Sequence, residues 1–173
     1  MIENVQKLKH FGVYAVALDA GKLLVIEKNS GPYQNRYDLP GGSQEIGESM
    51  QETLEREVLE ETGFTVVSSA NSRVYSAWVY EKERQVLTHH IFNLYDVKLS
   101  REAQKLPEFV ADGKNDSDRA LWKSLTEFSP ENSSPLIQKV IAENKNYPHV
   151  DKAEIYKDWK VNDESENYSK PLV

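Results

Sequence analysis

The residues with the most chemistry to offer lie in one run, GGSQEIGESMQETLEREVLEETGF, from Gly41 to Phe64. It sets Glu48, Glu52, Glu57, Glu60 and Glu61 around Arg56 and then stops on a glycine. Ser49 reads as an N-cap, Glu52 three residues on completes a capping box, and Gly63 stands where a left-handed C-terminal cap falls. The spacing therefore predicts a helix from about Met50 to Thr62. At about 100° per residue from Met50, Leu54 lies near +40° and Val58 near +80°, which marks the inward stripe. On the same count Glu57 falls at about −20° and Glu61 at about +20°, so two i,i+4 carboxylates share the face of the apolar anchors. Like charges at that spacing repel, and burial adds to the penalty. A divalent cation offsets it, because hard ions such as Mg2+ take carboxylate oxygens, water and the oxygens of a substrate phosphate. The bland alternative is a solvated acidic helix in which Arg56 bridges Glu52 and Glu60.

The elements that must position this run are legible on either side of it. Phe11 to Leu18 and Lys22 to Lys28 read as strands joined by the turn Asp19-Ala20-Gly21. A Gly31-Pro32 loop leads into Leu39-Pro40-Gly41-Gly42 and the helix. Thr65 to Val67, Val74 to Tyr80 and Gln85 to Val97 read as further strands, the last two joined across Glu81 to Arg84. A polar, acid-rich segment from Leu99 to Asp118 precedes a short strand around Trp122, which reads as a core residue. Pro135 opens a second helix with Leu136, Ile137, Val140 and Ile141 as its apolar stripe. Strands mixed with two helices predict an α/β sandwich, a helix layer on each face of a mixed sheet. Residues 1–143 form the expected domain, and 144–173 a polar, acidic extension, frayed or carrying a short helix packed back on the domain.

The run from Gly42 to Phe64 resembles the Nudix box, the signature of the Nudix hydrolases. Its pattern is a Gly, five residues, Glu, seven residues, then Arg-Glu-apolar-x-Glu-Glu-x-Gly-apolar. Gly42, Glu48, Arg56, Glu57, Val58, Glu60, Glu61, Gly63 and Phe64 fill every specified position. The box spans about two dozen residues, and looser resemblance reaches roughly Ala142. It implies the Nudix-type α/β/α sandwich and hydrolysis, with Mg2+ or Mn2+ and water, of a nucleoside diphosphate linked to another group. By the same resemblance Glu57 and Glu61 are metal ligands, Glu60 is a ligand or holds a water, and the Gly41 carbonyl completes the shell. Arg56 holds the Glu row by ion pairing, Glu48 approaches the metal from the loop, and Gly41 and Gly42 let the backbone come close to ions and phosphates. The chemistry suits the residues: an anionic electrophile needs its charge neutralised and its attacking water activated near neutral pH.

Lys28, at the end of its strand, stands where the family often places a cation near substrate phosphate, and Arg36 is a second candidate for that work. Either also reads as a plain surface residue. Tyr33, Tyr37 and Trp78 have faces on which a base can stack, or are core. His89 and His90 are neighbours in a strand, so one must face inward. Asp116, six residues before Trp122, has the spacing of an acid in the branch that removes 8-oxo-nucleotides, although that branch generally has Glu there. Glu108, Asp112 and Asp118 are further candidates for the general base. Asn132, ahead of Pro135, resembles the purine reader of that branch with spacing one residue longer.

Composition sets the limits. A chain of 173 residues with 39% hydrophobic and 28% charged content is a globular domain. A formal net charge of −7 with no basic stripe argues against a nucleic-acid polymer and leaves small nucleotides, whose charge a metal masks. There is no cysteine, so disulfides and thiol chemistry are out, as is the cysteine-using isoprenoid isomerase branch. No apolar signal core or membrane-length stretch is apparent, which makes a cytoplasmic protein, monomer or homodimer, the expectation. Within the hydrolase reading, nucleoside triphosphates, oxidised ones included, rank slightly ahead of ADP-ribose-like sugars. The alternative class is a silent nucleotide-binding regulatory module.

Overall fold

The computed structural model describes residues 5–103, 117–145 and 154–162. The elements run β1 (Gln6–Val16), β2 (Leu18–Asp19), β3 (Lys22–Lys28), β4 (Tyr37–Asp38), β5 (Gly41–Gly42), α1 (Met50–Thr62), β6 (Val66–Glu81), β7 (Val86–Leu99), β8 (Ser117–Ser124), α2 (Pro135–Asn144) and β9 (Glu154–Trp159). A five-stranded mixed sheet has the order β5-β1-β7-β6-β9, with β1 parallel to β7, β6 antiparallel to β7 and β9 parallel to β6. A second sheet is built on β3, which pairs with β2, β4 and β8.

The expected first hairpin is divided between these sheets. β1 runs in the five-stranded sheet, and only Leu18–Asp19 folds back on β3, through a turn with Ala20 at φ 46° and Gly21 at φ 76°. Two central residues with positive φ give the turn whose twist matches a right-handed strand pair. Val13 to Ala17 and Leu23 to Glu27 are all buried, so both runs are covered on both faces and show no alternation.

α1 forms over the expected residues. Glu52 N–H donates to Ser49 Oγ at 3.2 Å, Ser49 N–H donates to Glu52 Oε2 at 2.7 Å, and Gly63 closes the helix at φ 74°. Leu54 and Val58 are fully buried against Val13 and Ala15 of β1 and Val66 of β6. Each such side chain contributes about 1.5–3 kcal/mol on leaving water. The other face of the large sheet carries the main core, where Tyr14, Phe92 and Leu94 meet Leu23 and Val25 of β3 and Leu136, Ile137 and Val140 of α2. α2 starts at Pro135 with Ser134 as its N-cap. The large sheet thus lies between α1 on one face and β3 with α2 on the other, an α/β sandwich with a mixed sheet.

Three details differ from the sequence reading. The strands expected at Thr65 to Val67 and Val74 to Tyr80 are one, β6, with register shifts at Val66/Ser68 and Ala70/Arg73 and Asn71 at φ 52°. Trp122 is half-buried, edge-on to Phe64 just past α1. The described part of the C-terminal region, 154–162, holds a strand where a short helix was expected: β9 extends the large sheet beside β6, and Trp159 joins the main core with 7% of its surface exposed. No helix among the described residues is long and apolar enough to cross a membrane.

Candidate active site

A side chain at either glycine of β5 would collide with what lies beside it. Gly41 pairs with Tyr14 of β1 at φ 144°, and a Cβ there would stand 2.2 Å from the carbonyl oxygen of Val13. A Cβ on Gly42 would stand 2.8 Å from the carboxylate of Glu57. From the other side Gly41 N–H donates to Glu61 Oε2 at 2.8 Å. The loop and the inward face of α1 therefore meet, and Gly41, Gly42, Glu57 and Glu61 come together. Glu61 is 6% exposed, so this acid lies in the interior against a backbone donor.

Arg56 organises the rest. Its Nε and Nη2 donate to Glu48 Oε1 and Oε2 at 2.5 and 3.0 Å, its Nη1 donates to Glu57 Oε1 at 2.8 Å and more distantly to Glu60 Oε2 at 3.3 Å, and Nη2 also reaches the carbonyl of Ser43. Glu52 is absent from this list because Ser49 holds it in the capping box. Glu48 is the counter-anchor of Arg56. Both of its oxygens are engaged, with Thr53 Oγ1 and Glu45 N–H donating to Oε2 as well, where the sequence reading sent it toward the metal. The Arg56 hydrogen bonds, followed by the backbone donor of Glu45, hold the Glu48 carboxyl down at about 2. Glu48 in turn raises Arg56 above its ordinary value.

Glu57, Glu61 and the backbone of Gly41 make an all-oxygen donor set of the kind hard divalent cations take. Among the described residues no three acids or histidines already stand in ion-holding geometry, since Arg56 engages Glu57 and the Gly41 N–H engages Glu61. Glu60 is exposed at the rim, with 58% of its side-chain surface open. The set fits a cation that draws these carboxylates inward from partners already in place.

The remaining candidates lie elsewhere. Lys28 is half-buried at the end of β3, opposite Ser117, with its backbone N–H donating to the carbonyl of Arg36. Arg36 is buried, and its guanidinium lies 4.1 Å over the ring of Trp159. Tyr33 and Tyr37 are core, whereas Trp78 stacks on His89 at 4.1 Å on the sheet surface. Asn132 is used up within its own turn, donating to the carbonyl of Glu127 and accepting from Ser129 N–H, so it is not presented as a base reader. Glu108, Asp112 and Asp116 lie outside the described residues, as does the side chain of Asp118.

One polar pair escaped the sequence reading, as did the partners of the inward histidine. Glu27, buried in the apolar run of β3, takes a bidentate pair from Arg119 at 2.7 and 2.9 Å. His90, the inward member of its pair, stands 3.1 Å from Tyr14 OH through Nε2 and 2.9 Å from Tyr33 OH through Nδ1. A neutral imidazole meets that arrangement with one donor and one acceptor. The usable signals were a lone acid in LLVIEK and the period-two placement of His10, Tyr14 and His90, none of which names a partner.

Comparison with known proteins identifies the family. The NUDIX domain family matches residues 8–143, and the chain belongs to that family. Residues of the chain are 36% identical over 78 positions to the ADP-ribose pyrophosphatase of Methanocaldococcus jannaschii, covering 40% of this chain and 46% of that protein. They are 33% identical over 76 positions to a putative 8-oxo-dGTP diphosphatase of Bacillus subtilis, covering 43% and 49%. The matched segment spans about half the length of each of these relatives. The NUDIX domain of Shewanella oneidensis NrtR, solved with ADP ribose, superposes with a TM-score of 0.59 at 16% identity, over 79% of this chain and 86% of that one, and so shares the fold.

Proposed function

We propose that the protein is a divalent-metal-dependent hydrolase that cleaves the phosphoric anhydride of a nucleoside diphosphate linked to another group. The observation that carries this reading is the convergence of Glu57 and Glu61 on the glycines of β5, with Gly41 N–H on Glu61 and no room for a side chain at Gly42. Glu57 and Glu61, with the Gly41 carbonyl, would hold Mg2+ or Mn2+, and Glu60 at the rim would hold a further ligand position or a water. The bound cation supplies Lewis acidity and a water of lowered pKa. Arg56 keeps the carboxylate row aligned, and Gly42 leaves the approach to Glu57 open to a phosphate. Asp116 is the first candidate for the general base and Glu57 the second.

The substrate is a small nucleotide. The relatives include one named for ADP-ribose and one for 8-oxo-dGTP, so both classes belong in the test. Purified protein is assayed with nucleoside triphosphates, 8-oxo-dGTP and ADP-ribose in Mg2+, in Mn2+ and in chelator, reading phosphate or pyrophosphate release and the bond cleaved. Turnover that vanishes in chelator and in Glu57→Gln is expected. Nucleotide binding without turnover of any substrate in either metal would move the protein to the regulatory-module reading.

A further inference from the structure

Among the described residues, Arg36 alone buries side-chain polar atoms without a partner: Nε and Nη1 are enclosed and make no hydrogen bond, in a residue only 5% exposed. A guanidinium presents five N–H donors, and three of them belong to these two nitrogens. Aromatic side chains cover it. Trp159 covers its face at 4.1 Å, and Tyr33 packs edge-on to Trp159 at 5.6 Å. Glu131 acts on it only through space, and burial lowers its pKa from the ordinary value.

Such a site is costly to the folded state. Leaving a buried donor unmet forfeits its hydration with no return, and replacing a buried charge by an apolar side chain of similar length is often neutral or stabilising. A methionine would fill this space. Unsatisfied groups of this kind mark places where a ligand supplies the missing acceptor.

The cap over Arg36 belongs to a strand at the edge of the large sheet. β9 is a six-residue edge strand with one neighbour, β6, and Ile155 in it is 60% exposed. Its end is tied to the loop that carries Arg36. Trp159 Nε1 donates to the Pro32 carbonyl at 2.6 Å, Asn35 Nδ2 donates to the Asn162 carbonyl at 2.5 Å, and Asn162 Nδ2 returns to Asn35 at 3.4 Å. Arg36 also precedes Gly41 by five residues, so the two Cα atoms are at most about 18 Å apart, a span a nucleotide can bridge.

We infer that Arg36 is a binding residue for a phosphate oxygen of the nucleotide, and that β9 is a strap whose Trp159 covers it until the ligand enters. The planar guanidinium suits phosphate oxygens, and the indole face keeps it oriented. The identity of the ligand rests on the hydrolase reading; the presence of an anion site does not.

The test uses ADP in chelator, where the Glu57/Glu61 region is left as bare negative charge and any binding must be held elsewhere. ADP should change tryptophan fluorescence in the wild type and not in Trp159→Phe. Arg36→Met should weaken ADP binding about tenfold or more, keep or raise the melting temperature without ligand, and raise KM for the turned-over substrate with little change in kcat. Arg36→Lys should recover part of the affinity, and it carries the KM test if the methionine variant does not fold. Wild-type fluorescence indifferent to millimolar ADP, or Arg36→Met with a lowered melting temperature and unchanged ADP affinity and KM, overturns the inference. ADP binding that depends on Arg36 in a protein that hydrolyses nothing removes the hydrolase reading and leaves this one standing. Normal turnover that ignores Arg36 does the reverse.

Discussion

Replacing Gly42 with alanine places a methyl carbon 2.8 Å from Cδ and Oε1 of Glu57 and 2.9 Å from Oε2. Ordinary contact begins at 3.4 Å, so the carboxylate must retreat by at least about 0.6 Å. The obstacle is the far end of a flexible side chain, and the fold gives way there instead of in the backbone. Stability should fall by about 1 kcal/mol, the low end for overpacking, which is about 2–4 °C in a chain of this size. Activity should fall much further, because a ligand misplaced by most of an ångström costs about 100-fold. Gly41→Ala should fail differently. Its Cβ would meet the Val13 carbonyl oxygen at 2.2 Å and Tyr14 Cα at 2.6 Å, backbone that cannot swing aside, from a φ of 144° that alanine resists. That variant should lose the β1–β5 pairing and accumulate unfolded. Melting curves, Mn2+ titration calorimetry and initial rates separate the two cases. Wild-type Mn2+ affinity and kcat in Gly42→Ala would show that Glu57 is not a ligand, and a Gly41→Ala melting point within a few degrees of wild type would refute the backbone argument.

Glu57→Gln and Glu61→Gln should each lower kcat by orders of magnitude with the fold intact by circular dichroism; an unchanged rate in both would remove the metal assignment. Asp116→Asn should lower kcat while leaving Mn2+ affinity in the absence of substrate near wild type; a rate within a fewfold of wild type would place the base in the box. Burial, with a smaller contribution from His10, holds the His90 imidazole well below its ordinary pKa. The unfolded chain therefore takes up the proton first as pH falls through about 6.5, and stability drops on the acid side by up to about 1.4 kcal/mol per pH unit. Urea melts at pH 7.5 and 5.5 should show that loss in the wild type and a smaller one in His90→Gln; equal slopes would mean another group is responsible. Trp159→Ala should destabilise by about 3–5 kcal/mol, since it empties a core position from an edge strand; a melting point unchanged by it would mean β9 contributes nothing to the core.

α1 could be placed from the sequence because every signal for it is local: a cap, its reciprocal glutamate, an apolar stripe and a terminal glycine lie within one run. The partners of Arg56 could not. Helical spacing nominates Glu52 and Glu60, yet Glu52 is committed to Ser49, while the chain turns at Gly47 with φ 94° and returns Glu48 to the guanidinium from eight residues away. β9 was hidden for the opposite reason. Its six residues, EIYKDW, set Ile155, Tyr156 and Trp159 among three charged side chains in a polar tail, and their strand character comes from parallel pairing with β6, a contact of long sequence separation. Arg36 was legible as a cation close to the box but not as a buried one, because its burial is supplied by Trp159, more than a hundred residues further along the chain.

The geometry of Arg56 also gives Glu48 a part in the box that does not depend on touching an ion. Nε and Nη2 are spent on Glu48, whereas Nη1 serves Glu57 and Glu60. If a cation takes Glu57, only the Nη1 bond is given up, and the fork to Glu48 keeps the guanidinium paired. Without Glu48 the same step would strand a partly buried cation, and Arg56 would compete with the metal for Glu57. The carboxyl of Glu48, held at about 2, stays ionised throughout the range in which the enzyme would work, so the clamp does not loosen with pH. Glu61 has the matching arrangement on the other side, where its donor is a backbone N–H fixed by the β1–β5 pairing and not a side chain that can follow it. One proposed ligand is thus held by a partner that can release it, and the other by a partner that cannot move.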